Sequence, residues 1–327
     1  MNNKDLSIIF CSKSKHIKNN FTLPSENIIN YDMKKFANGE LYIKLKDSVR
    51  GKNVFIFQGF NSHPSEDLME LFLMIDTANA ASASTINVIL PMMYGSRQDR
   101  KTEPRTPITI STIAKLLKSL NVSRVLTIDL HSPQSASAFY SLGMGFDNIT
   151  TFSLFLPKMK EIVNKNYVIV SPDVGGLSRA RLYAESLDLP VAFADKRRDE
   201  INKSTITNFV GKVKGKNCII VDDIVDTGGS LIGVAKALKE QEAKEVSVFI
   251  SHLVLSKNAK ERLSEDDSID NIYGSDTIRH DELPEKFDAI SVSGILQNII
   301  LQIYSNNSVS KVLQEDIWVK IILLWTI

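Results

Sequence analysis

Cysteine is scarce in this sequence, with Cys11 and Cys218 the two present among 327 residues. Both lie in apolar runs that predict strands, so we expect buried free thiols in a reducing compartment rather than a disulfide. The start, MNNKDLSIIF, lacks a basic segment followed by a long apolar stretch, which predicts no signal peptide. Apolar runs also stay below the roughly 18 residues that a membrane span needs. These absences together predict a cytoplasmic protein that does not interact with membranes.

Net charge is almost absent as well. Lys and Arg number 39 against 38 Asp and Glu, which gives +1 at pH 7. This balance, and the lack of interleaved aromatic and basic residues, disfavours a nucleic-acid-binding module but allows a local anion site. A hydrophobic content of 43% predicts a packed core, and the length suits two domains.

Short apolar runs rich in Ile and Val recur along the chain and end in polar or turn residues. They are LSIIF, NVFIFQGF, INVILPMMY, RVLTIDLH, YVIVSPD, PVAFAD, NCIIVDD and EVSVFISHLVL. Runs of this kind are typical of parallel strands buried on both faces. Helical patterns lie between them: SEDLMELFLMIDTANAASA with Ser65 as a plausible N-cap, ITISTIAKLLKSLN, GLSRARLYAESLD and SLIGVAKALKEQEA. The alternation predicts an α/β fold.

The alternation occurs twice. A first set ends near RVLTIDLHS and a second begins near YVIVSPDVGG, with a boundary expected between Gly143 and Asn148. We therefore predict an N-terminal domain of residues 1–146 and a C-terminal domain of residues 147–327. Similar order in the two halves suggests a duplication.

The run CIIVDDIVDTGGSL, from Cys218 to Leu231, is the most informative stretch. Ligands of open α/β sheets bind beyond the carboxyl ends of the strands, where Asp222 and Asp223 are expected. Carboxylates there can accept hydrogen bonds from sugar hydroxyls or hold a metal bound to a sugar. The acid pair therefore predicts one half of a sugar site.

The loop that follows, Asp226 to Ser230, leads into a predicted helix. Its N–H groups and the hydroxyls of Thr227 and Ser230 would face an anion at the helix N-terminus, and Gly228 and Gly229 allow close approach. With hydroxyls held at one end and a phosphate at the other, the motif predicts a sugar-phosphate site about one ribose long. A simple strand, turn and capped helix is the alternative.

The motif resembles the phosphoribosyl diphosphate signature of phosphoribosyltransferases and of ribose-phosphate pyrophosphokinases. Further segments resemble the pyrophosphokinases, in that family's order, over roughly residues 5–313. They are FANGELYIKLKDSVRGKNVFIFQ, LMELFLMIDTANAASA, YGSRQDRK, PITISTIAKLL, RVLTIDLHS, VIVSPDVGGLSRAR, DKRR and SVSKVL. The resemblance implies two phosphoribosyltransferase-like (type I) domains with mainly parallel sheets flanked by helices, and an active site between them.

The resemblance also implies an activity, in which the diphosphoryl group of ATP passes to the C1 hydroxyl of ribose 5-phosphate and AMP leaves. Lys196 is then the catalytic lysine, and Arg198 contacts ribose 5-phosphate and the charge of the transition state. Both are expected at the start of a loop after PVAFAD. The resemblance implies that ribose 5-phosphate contacts Arg198 and residues of the CIIVDDIVDTGGSL motif, namely Asp222, Asp223, Asp226, Thr227, Gly228, Gly229 and Ser230.

Mg²⁺ is the implied cofactor, associated with His131 and Asp173. Oxygen ligands suit this ion and an imidazole is a less usual ligand. ATP is expected to contact residues of the FANGE and SRQDRK segments, namely Phe36, Asn38, Gly39, Glu40, Arg97 and Gln98. In the family the FxxGE segment reaches a neighbouring subunit's site, and the subunits form hexamers, so a homo-oligomer is expected.

The sequence departs from the family pattern in three places. Asn38 stands where Asp is usual, which predicts retuned adenine binding. Ala80 stands where an Arg of the regulatory phosphate or ADP site is usual, although Ser48, Arg50, Ser308 and Ser310 are present, so we expect altered regulation. The segment QEDIWVKIILLWTI follows the family's usual end. It could form a strand or helix at a subunit contact or have no role.

Two alternatives remain open from the sequence. A phosphoribosyltransferase would lack the RQDRK and DKRR segments found here. A non-catalytic regulatory partner of the pyrophosphokinases would have a disrupted lysine–arginine loop, whereas Lys196 and Arg198 are present together with His131 and Asp173.

Overall fold

The computed structural model describes residues 4–61, 63–200 and 203–309, with the backbone alone for residues 196–200 and 203–208. Its strands are β1 Leu6–Phe10, β2 Tyr31–Lys35, β3 Leu41–Leu45, β4 Asn53–Phe57, β5 Thr85–Leu90, β6 Arg124–Ile128, β7 Gly145–Ile149, β8 Tyr167–Ser171, β9 Val191–Glu200, β10 Lys203–Val210, β11 Asn217–Val225, β12 Glu245–Leu253, β13 Asn271–Ser275 and β14 Phe287–Ile290.

Helices connect most of these strands. They are α1 Lys15–Lys18, α2 Pro64–Ala80, α3 Thr109–Ser119, α4 Ser137–Tyr140, α5 Phe152–Ile162, α6 Leu177–Leu187, α7 Gly229–Glu240, α8 Ala259–Glu265 and α9 Ser293–Tyr304, with short 3-10 turns at Ser12–Ser14, Ser25–Asn27 and Pro133–Ala136. Within the described ranges, none of the helices has the length and apolar character needed to cross a membrane.

The chain forms two compact units. The first runs as far as Thr150 and also takes Thr277–Arg279 and Ser291–Val309, while the second contains Thr151–Asp276 and His280–Ile290. The predicted boundary between residues 146 and 147 lies inside β7, four residues before this division. Strand β7 pairs in parallel with β6, which ties it to the first unit.

The first unit contains a parallel sheet in the order β1-β4-β5-β6-β7. Continuous apolar runs form its strands because both sheet faces are covered; Ile8, Ile9, Val88 and Leu126 are fully buried. Strands β2 and β3 form a separate antiparallel hairpin. None of their residues, YDMKK and LYIKL, is fully buried, so they lack the continuous apolar runs that predict strands elsewhere in the chain.

The second unit contains a sheet in the order β10-β9-β8-β11-β12-β13-β14. Its pairs are parallel except for β9 with β10, which form an antiparallel hairpin. The predicted fold class, mainly parallel sheets flanked by helices, is confirmed.

Two predictions of local structure are wrong. Helix α2 begins at Pro64 with His63 as its N-cap, so Ser65 lies inside the first turn; proline is favoured at a first helical position because its missing N–H needs no partner there. Lys196 and Arg198 lie within strand β9 rather than at the start of a loop, because β9 continues to Glu200 along β10.

The last described helix, α9, belongs to the first unit although the sequence assigned it to the C-terminal domain. Leu296, Ile299 and Ile300 on this helix are fully buried. The buried hydroxyl of Ser293 donates a hydrogen bond to the carbonyl of Ile17 at 2.9 Å. The apolar face of this helix therefore packs within the N-terminal unit.

Both cysteines are buried and free, as the sequence predicts. Burial raises the pKa of Cys218 to about 12, so its thiol stays protonated at neutral pH.

Candidate active site

Three neighbouring parallel strands of the second unit bring most of the predicted site residues to one sheet edge. In this sheet β8 lies between β9 and β11, and Ser171 pairs with Phe193 while Val170 pairs with Ile220. Asp173 lies two residues after Ser171, Lys196 three residues after Phe193, and Asp223 three residues after Ile220. The backbones of these three residues therefore lie at a similar height along the strand direction. Ligands of such sheets bind at this edge.

The acid pair lies before the end of β11, not at it. Strand β11 pairs with β8 as far as Ile220 but with β12 as far as Val225. The divergence from β8 opens one side of β11 where Asp222 and Asp223 lie. The Asp222 side chain is 27% exposed and that of Asp223 is 8% exposed, so both carboxylates are largely shielded from water.

Arg179 of helix α6 bridges the two carboxylates. Its Nη1 lies 3.4 Å from Oδ1 of Asp222 and 3.4 Å from Oδ1 of Asp223. Burial, followed by the adjacent charge of Asp223, raises the pKa of Asp222 to about 7, and Arg179 opposes this increase. Asp222 therefore titrates near neutral pH, and one shared cation limits the repulsion between the two acids.

Sequence reasoning missed Arg179. The signal was available in SRAR, because Arg179 lies three residues after Gly176, where helix α6 begins at the same sheet edge as the acids. An arginine in the first turn of that helix can reach the neighbouring strand.

The loop after the acids ends in a helix N-terminus, as predicted. Gly228 is the N-cap of α7 and has φ +76°, a left-handed conformation that L side chains rarely adopt. A Cβ on Gly228 would also lie 3.0 Å from Cγ of Leu263. Glycine is therefore required here by backbone conformation and by packing. The first turn of any helix offers N–H groups without acceptors inside the helix, which suits a phosphate.

A second arginine that the sequence analysis did not identify lies beside this loop. Nη1 of Arg262, on α8, donates to the carbonyl of Thr227 at 3.2 Å. Its Nη2 lies 3.8 Å from the position that a Cβ on Gly229 would take. Arg262 is exposed and lies 35 residues after Thr227 in the sequence, so no local pattern links it to the loop.

Asp173 lies two residues beyond β8 and is held by the turn into α6. Its Oδ1 accepts the N–H of Gly176 at 2.9 Å, and its carbonyl accepts the hydroxyl of Ser171 at 2.6 Å. The carboxylate is exposed and oriented, which leaves Oδ2 as a potential ligand atom. Lys196 and Arg198 pair through their backbones with Ile206 and Ser204. Their side chains lie outside the described residues.

The segment FANGE forms the tip of the β2–β3 hairpin in the first unit. The N–H of Phe36 donates to the carbonyl of Glu40, and the N–H of Gly39 donates to the carbonyl of Phe36, both at 2.8 Å. Gly39 takes φ +91°, which a turn of this kind requires of glycine. Phe36 is 53% exposed, and Oδ1 of Asn38 accepts the N–H of Glu40 at 3.2 Å. The tip thus presents an aromatic face beside polar groups.

Arg97, Gln98 and His131 follow neighbouring strands of the N-terminal sheet. Arg97 and Gln98 are exposed in the loop between β5 and α3, where Oε1 of Gln98 accepts the hydroxyl of Thr109 at 2.5 Å. His131 is exposed three residues after β6, which pairs with β5. These side chains therefore share the carboxyl edge of the first unit's sheet.

The two residues predicted to associate with Mg²⁺ offer different donor atoms. Asp173 offers an oriented, exposed carboxylate, the ligand type this ion prefers, whereas His131 offers a nitrogen. No cluster of three or more His, Cys, Asp or Glu suited to a metal occurs within residues 4–61, 63–200 and 203–309. Asp173 by itself offers one carboxylate ligand, which suits an ion that keeps several of its waters.

The residues that resemble a regulatory site partly assemble. The N–H of Gly51 donates to the carbonyl of Ser82 at 2.8 Å, which joins the Ser48–Arg50 segment to the end of α2. Ala80 is the last residue of α2 and is exposed, as is Ser308 after α9. Ser310 and the segment 314–327 lie outside the described residues.

Comparison with known proteins identifies two family domains in the chain. Residues 13–120 match the N-terminal domain of ribose phosphate pyrophosphokinase, and residues 152–285 match the phosphoribosyl transferase domain. The chain is 46% identical over 278 residues to ribose-phosphate pyrophosphokinase from Thermosipho africanus, covering 84% of this chain and 87% of that protein. It is 39% identical over 313 residues to ribose-phosphate pyrophosphokinase from Thermotoga maritima, covering 92% and 98%.

The fold matches a solved structure over almost its whole length. The crystal structure of phosphoribosylpyrophosphate synthetase from Mycobacterium smegmatis superposes with a TM-score of 0.84 at 30% identity, covering 93% of this chain and 100% of that one. The likeness therefore extends over both units and includes the segments that carry the candidate site.

Proposed function

The chain belongs to the ribose-phosphate pyrophosphokinase family, and we propose how its residues carry out that family's reaction. It is a ribose-phosphate diphosphokinase, which transfers the diphosphoryl group of ATP to ribose 5-phosphate and forms 5-phosphoribosyl 1-diphosphate and AMP for nucleotide synthesis. The observation that carries the assignment of the site is the convergence of the acid pair, the α7 N-terminus and Asp173 at one sheet edge.

Ribose 5-phosphate binds along β11 and the loop that follows it. Asp222 and Asp223 accept hydrogen bonds from ribose hydroxyls, because carboxylates on an open strand edge can reach a sugar ring. The phosphate lies against Asp226–Ser230, where the first turn of α7 and the hydroxyls of Thr227 and Ser230 supply donors. The C1 hydroxyl is then held toward the strands β8 and β9.

The C1 oxygen attacks the β-phosphorus of ATP. The bond between that phosphorus and the oxygen bridging to the α-phosphate breaks, AMP leaves, and the C1 hydroxyl loses its proton. Catalysis requires alignment and neutralisation of charge more than a covalent intermediate. Lys196 and Arg198, on the strand next to Asp173, supply the cations, and Arg198 also contacts ribose 5-phosphate.

ATP binds through the hairpin tip and the loop after β5. Phe36 stacks on adenine, and Asn38, Gly39 and Glu40 supply polar contacts around it. Arg97 and Gln98 contact the nucleotide, with the guanidinium positioned for phosphate oxygens.

Mg²⁺ would be held by Asp173, with His131 associated, and would neutralise charge on the triphosphate when bound. The carboxylate is already oriented by Gly176, so its lone pairs need no rearrangement to receive the ion. We infer the ion from the fit of the donors and the membership of the family.

Assembly, regulation and location are also proposals. We propose a homo-oligomer, a hexamer by resemblance, in which the hairpin tip serves a neighbouring site. Ala80 removes a charged contact from the regulatory site and weakens the response to phosphate and ADP. The buried free thiols suit the reducing cytoplasm, where we place the protein.

The transfer is tested with ATP labelled at its β-phosphate. Incubation with ribose 5-phosphate should move the label into the sugar product together with the γ-phosphate, and unlabelled AMP should appear in equal amount. Release of labelled ADP, or transfer of the γ-phosphate alone, would contradict diphosphoryl transfer.

A further inference from the structure

A buried carboxylate in helix α2 receives four hydrogen bonds. Glu70 is 3% exposed. Its Oε1 accepts the N–H of Ser12 at 2.9 Å and the hydroxyl of Tyr31 at 3.0 Å. Its Oε2 accepts the hydroxyl of Ser12 at 2.5 Å and Nε2 of Gln58 at 3.2 Å. Both oxygens of this carboxylate are therefore fully engaged.

The donors come from three separate segments. Ser12 lies two residues after β1, and Gln58 directly follows β4. Tyr31 is the first residue of β2. Glu70 thus joins the carboxyl edge of the N-terminal sheet to the base of the hairpin whose tip carries Phe36.

Within the described part of the chain Glu70 forms no salt bridge, and its four hydrogen bonds offset much of the cost of burying its carboxylate. A buried carboxylate is stable when several donors converge on it. Burial, followed by the neighbouring Cys11 and Glu70, raises the pKa of Tyr31 well above its usual range. The Tyr31 hydroxyl therefore keeps its proton and acts as a donor to Glu70.

The hairpin amplifies any movement at its base. Strand β2 pairs with β3 from Tyr31 to Lys35, and Phe36 follows at the tip. At about 3.3 Å per residue, the tip lies about 16 Å from Tyr31, so a rotation of about 5° at the base moves it by about 1.4 Å. A displacement of this size is enough to impair a bound substrate's alignment.

A second link between α2 and the hairpin is weak. Nζ of Lys35 lies 3.3 Å from Oε1 of Glu66, but the two side chains are 52% and 65% exposed. Exposed pairs of this kind contribute little. Ile43 and Leu45 pack partly buried against the core, so they hold the hairpin in place without fixing its angle through a directional bond.

We propose that Glu70 is a positioning residue for the nucleotide: its carboxylate fixes the angle of the β2–β3 hairpin through Tyr31 and so places Phe36, Asn38 and Glu40 for ATP. This inference rests on the proposed role of the hairpin tip in ATP binding. It assigns to Glu70 and Tyr31 a role in nucleotide affinity although neither contacts the nucleotide.

The decisive comparison is Tyr31→Phe against Tyr140→Phe. Each change removes one tyrosine hydroxyl and keeps the ring, and the Tyr140 hydroxyl donates to the carbonyl of Phe146 at 2.8 Å, away from the hairpin. We expect Tyr31→Phe to raise the KM for ATP about 10-fold, as a lost bond to a charged group does, with the KM for ribose 5-phosphate unchanged. Tyr140→Phe should change neither KM. An ATP KM within about twofold of the parent, or an equal rise in both KM values, would overturn the proposal.

A double-variant cycle tests the link itself. Glu70→Gln turns one acceptor into a donor that faces other donors, so it should also raise the KM for ATP. The double variant Tyr31→Phe/Glu70→Gln should then raise the KM for ATP by less than the product of the two single-variant increases. If the increase in the double variant equals the product of the two single increases, the two residues act independently and the proposed link between Glu70 and Tyr31 is wrong. Should Glu70→Gln not fold, Ser12→Ala takes its place in the cycle, since it removes the 2.5 Å bond alone.

Phe36→Ala separates this inference from the proposed function. If it raises the KM for ATP and Tyr31→Phe does not, the positioning role of Glu70 is wrong while the tip still binds nucleotide. If Phe36→Ala leaves the KM for ATP unchanged, the nucleotide role of the tip is wrong, and the positioning inference fails with it.

Discussion

Nη1 of Arg179 lies 3.4 Å from Oδ1 of Asp222, on the strand edge that we assign to the ribose. The same nitrogen is equally close to Asp223. One cation therefore serves two largely buried acids whose mutual repulsion, added to burial, brings the pKa of Asp222 to about 7. We therefore expect ribose 5-phosphate binding at this edge to depend on pH near neutrality.

Replacing Arg179 should shift that sensitivity. Arg179→Gln removes the charge that lowers the pKa of Asp222, so Asp222 should bind its proton at higher pH. We expect the acid limb of a plot of ribose 5-phosphate KM against pH to move upward by about one unit. The control is Arg181→Gln, an exposed arginine on the same helix. Superimposable profiles for the two variants would refute the role of Arg179.

Asp222→Asn should stabilise the fold while weakening ribose 5-phosphate binding. The folded-state pKa of Asp222 lies above its unfolded value of 3.8, so the folded protein binds more protons between about pH 4 and pH 7 and loses stability as pH rises through that range. The amide removes this loss. A pKa raised from 3.8 to about 7 corresponds to about 4 kcal/mol, so the gain in unfolding free energy should be on the order of 4 kcal/mol at pH 8 and near zero at pH 4.

Thermal unfolding of the parent and Asp222→Asn at both pH values measures this difference. A gain of the same size at pH 4 and pH 8 would show that the destabilisation does not come from the titration of Asp222.

The sequence predicts much of this site because its signals are local. An apolar strand followed by Asp222 and Asp223, then by Gly228 and Gly229 before a helix, is visible in one short run. The strand and helix pattern is likewise local, and the parallel sheets follow from it. Arg262 illustrates what stays hidden, since its contact with the Thr227 carbonyl depends on how α8 packs.

The hairpin, and the unit to which the last helix belongs, escaped prediction for related physical reasons. Strands β2 and β3 are stabilised by their pairing, by a side chain of α2 and by alternate half-buried residues such as Ile43, rather than by continuous apolar runs. The sequence of α9 shows an apolar face but not which unit covers it. Both facts depend on contacts between residues far apart in the chain.

Two glycine substitutions in and beside one helix should have opposite effects. Gly228→Ala places a side chain at φ +76° and 3.0 Å from Leu263, so we expect a loss of about 1–3 kcal/mol in stability and weaker ribose 5-phosphate binding. Gly233→Ala lies inside α7 with nothing within 4 Å of its added Cβ, and should gain about 0.5–1 kcal/mol with unchanged activity. Thermal unfolding and KM values of both variants provide the measurement. Similar stability changes for the two would contradict the structural assignment of Gly228.

Restoring a cation at the end of α2 should restore regulation. Ala80 is exposed and lies two residues before Ser82, whose carbonyl accepts the N–H of Gly51 next to the Ser48–Arg50 segment, so Ala80→Arg has room for its side chain. We expect stronger ADP inhibition and stronger phosphate activation than in the parent, seen in saturation curves at several ADP and phosphate concentrations. Ala80→Gln, of similar length without charge, is the control. Equal responses of parent, Ala80→Arg and Ala80→Gln would contradict the assignment of this surface.

The central claim is that diphosphoryl transfer occurs at the shared edge of β8, β9 and β11. Its most direct test is the rate of AMP formation from ATP and Mg²⁺, with and without ribose 5-phosphate, for the parent, Lys196→Ala and Lys212→Ala. Lys212 is an exposed lysine two residues beyond β10, so it controls for loss of charge near the same hairpin. We predict AMP that requires the sugar phosphate, a fall of about 100-fold or more in Lys196→Ala, and little change in Lys212→Ala. AMP formation independent of the sugar, or equal rates in the two lysine variants, would contradict the account.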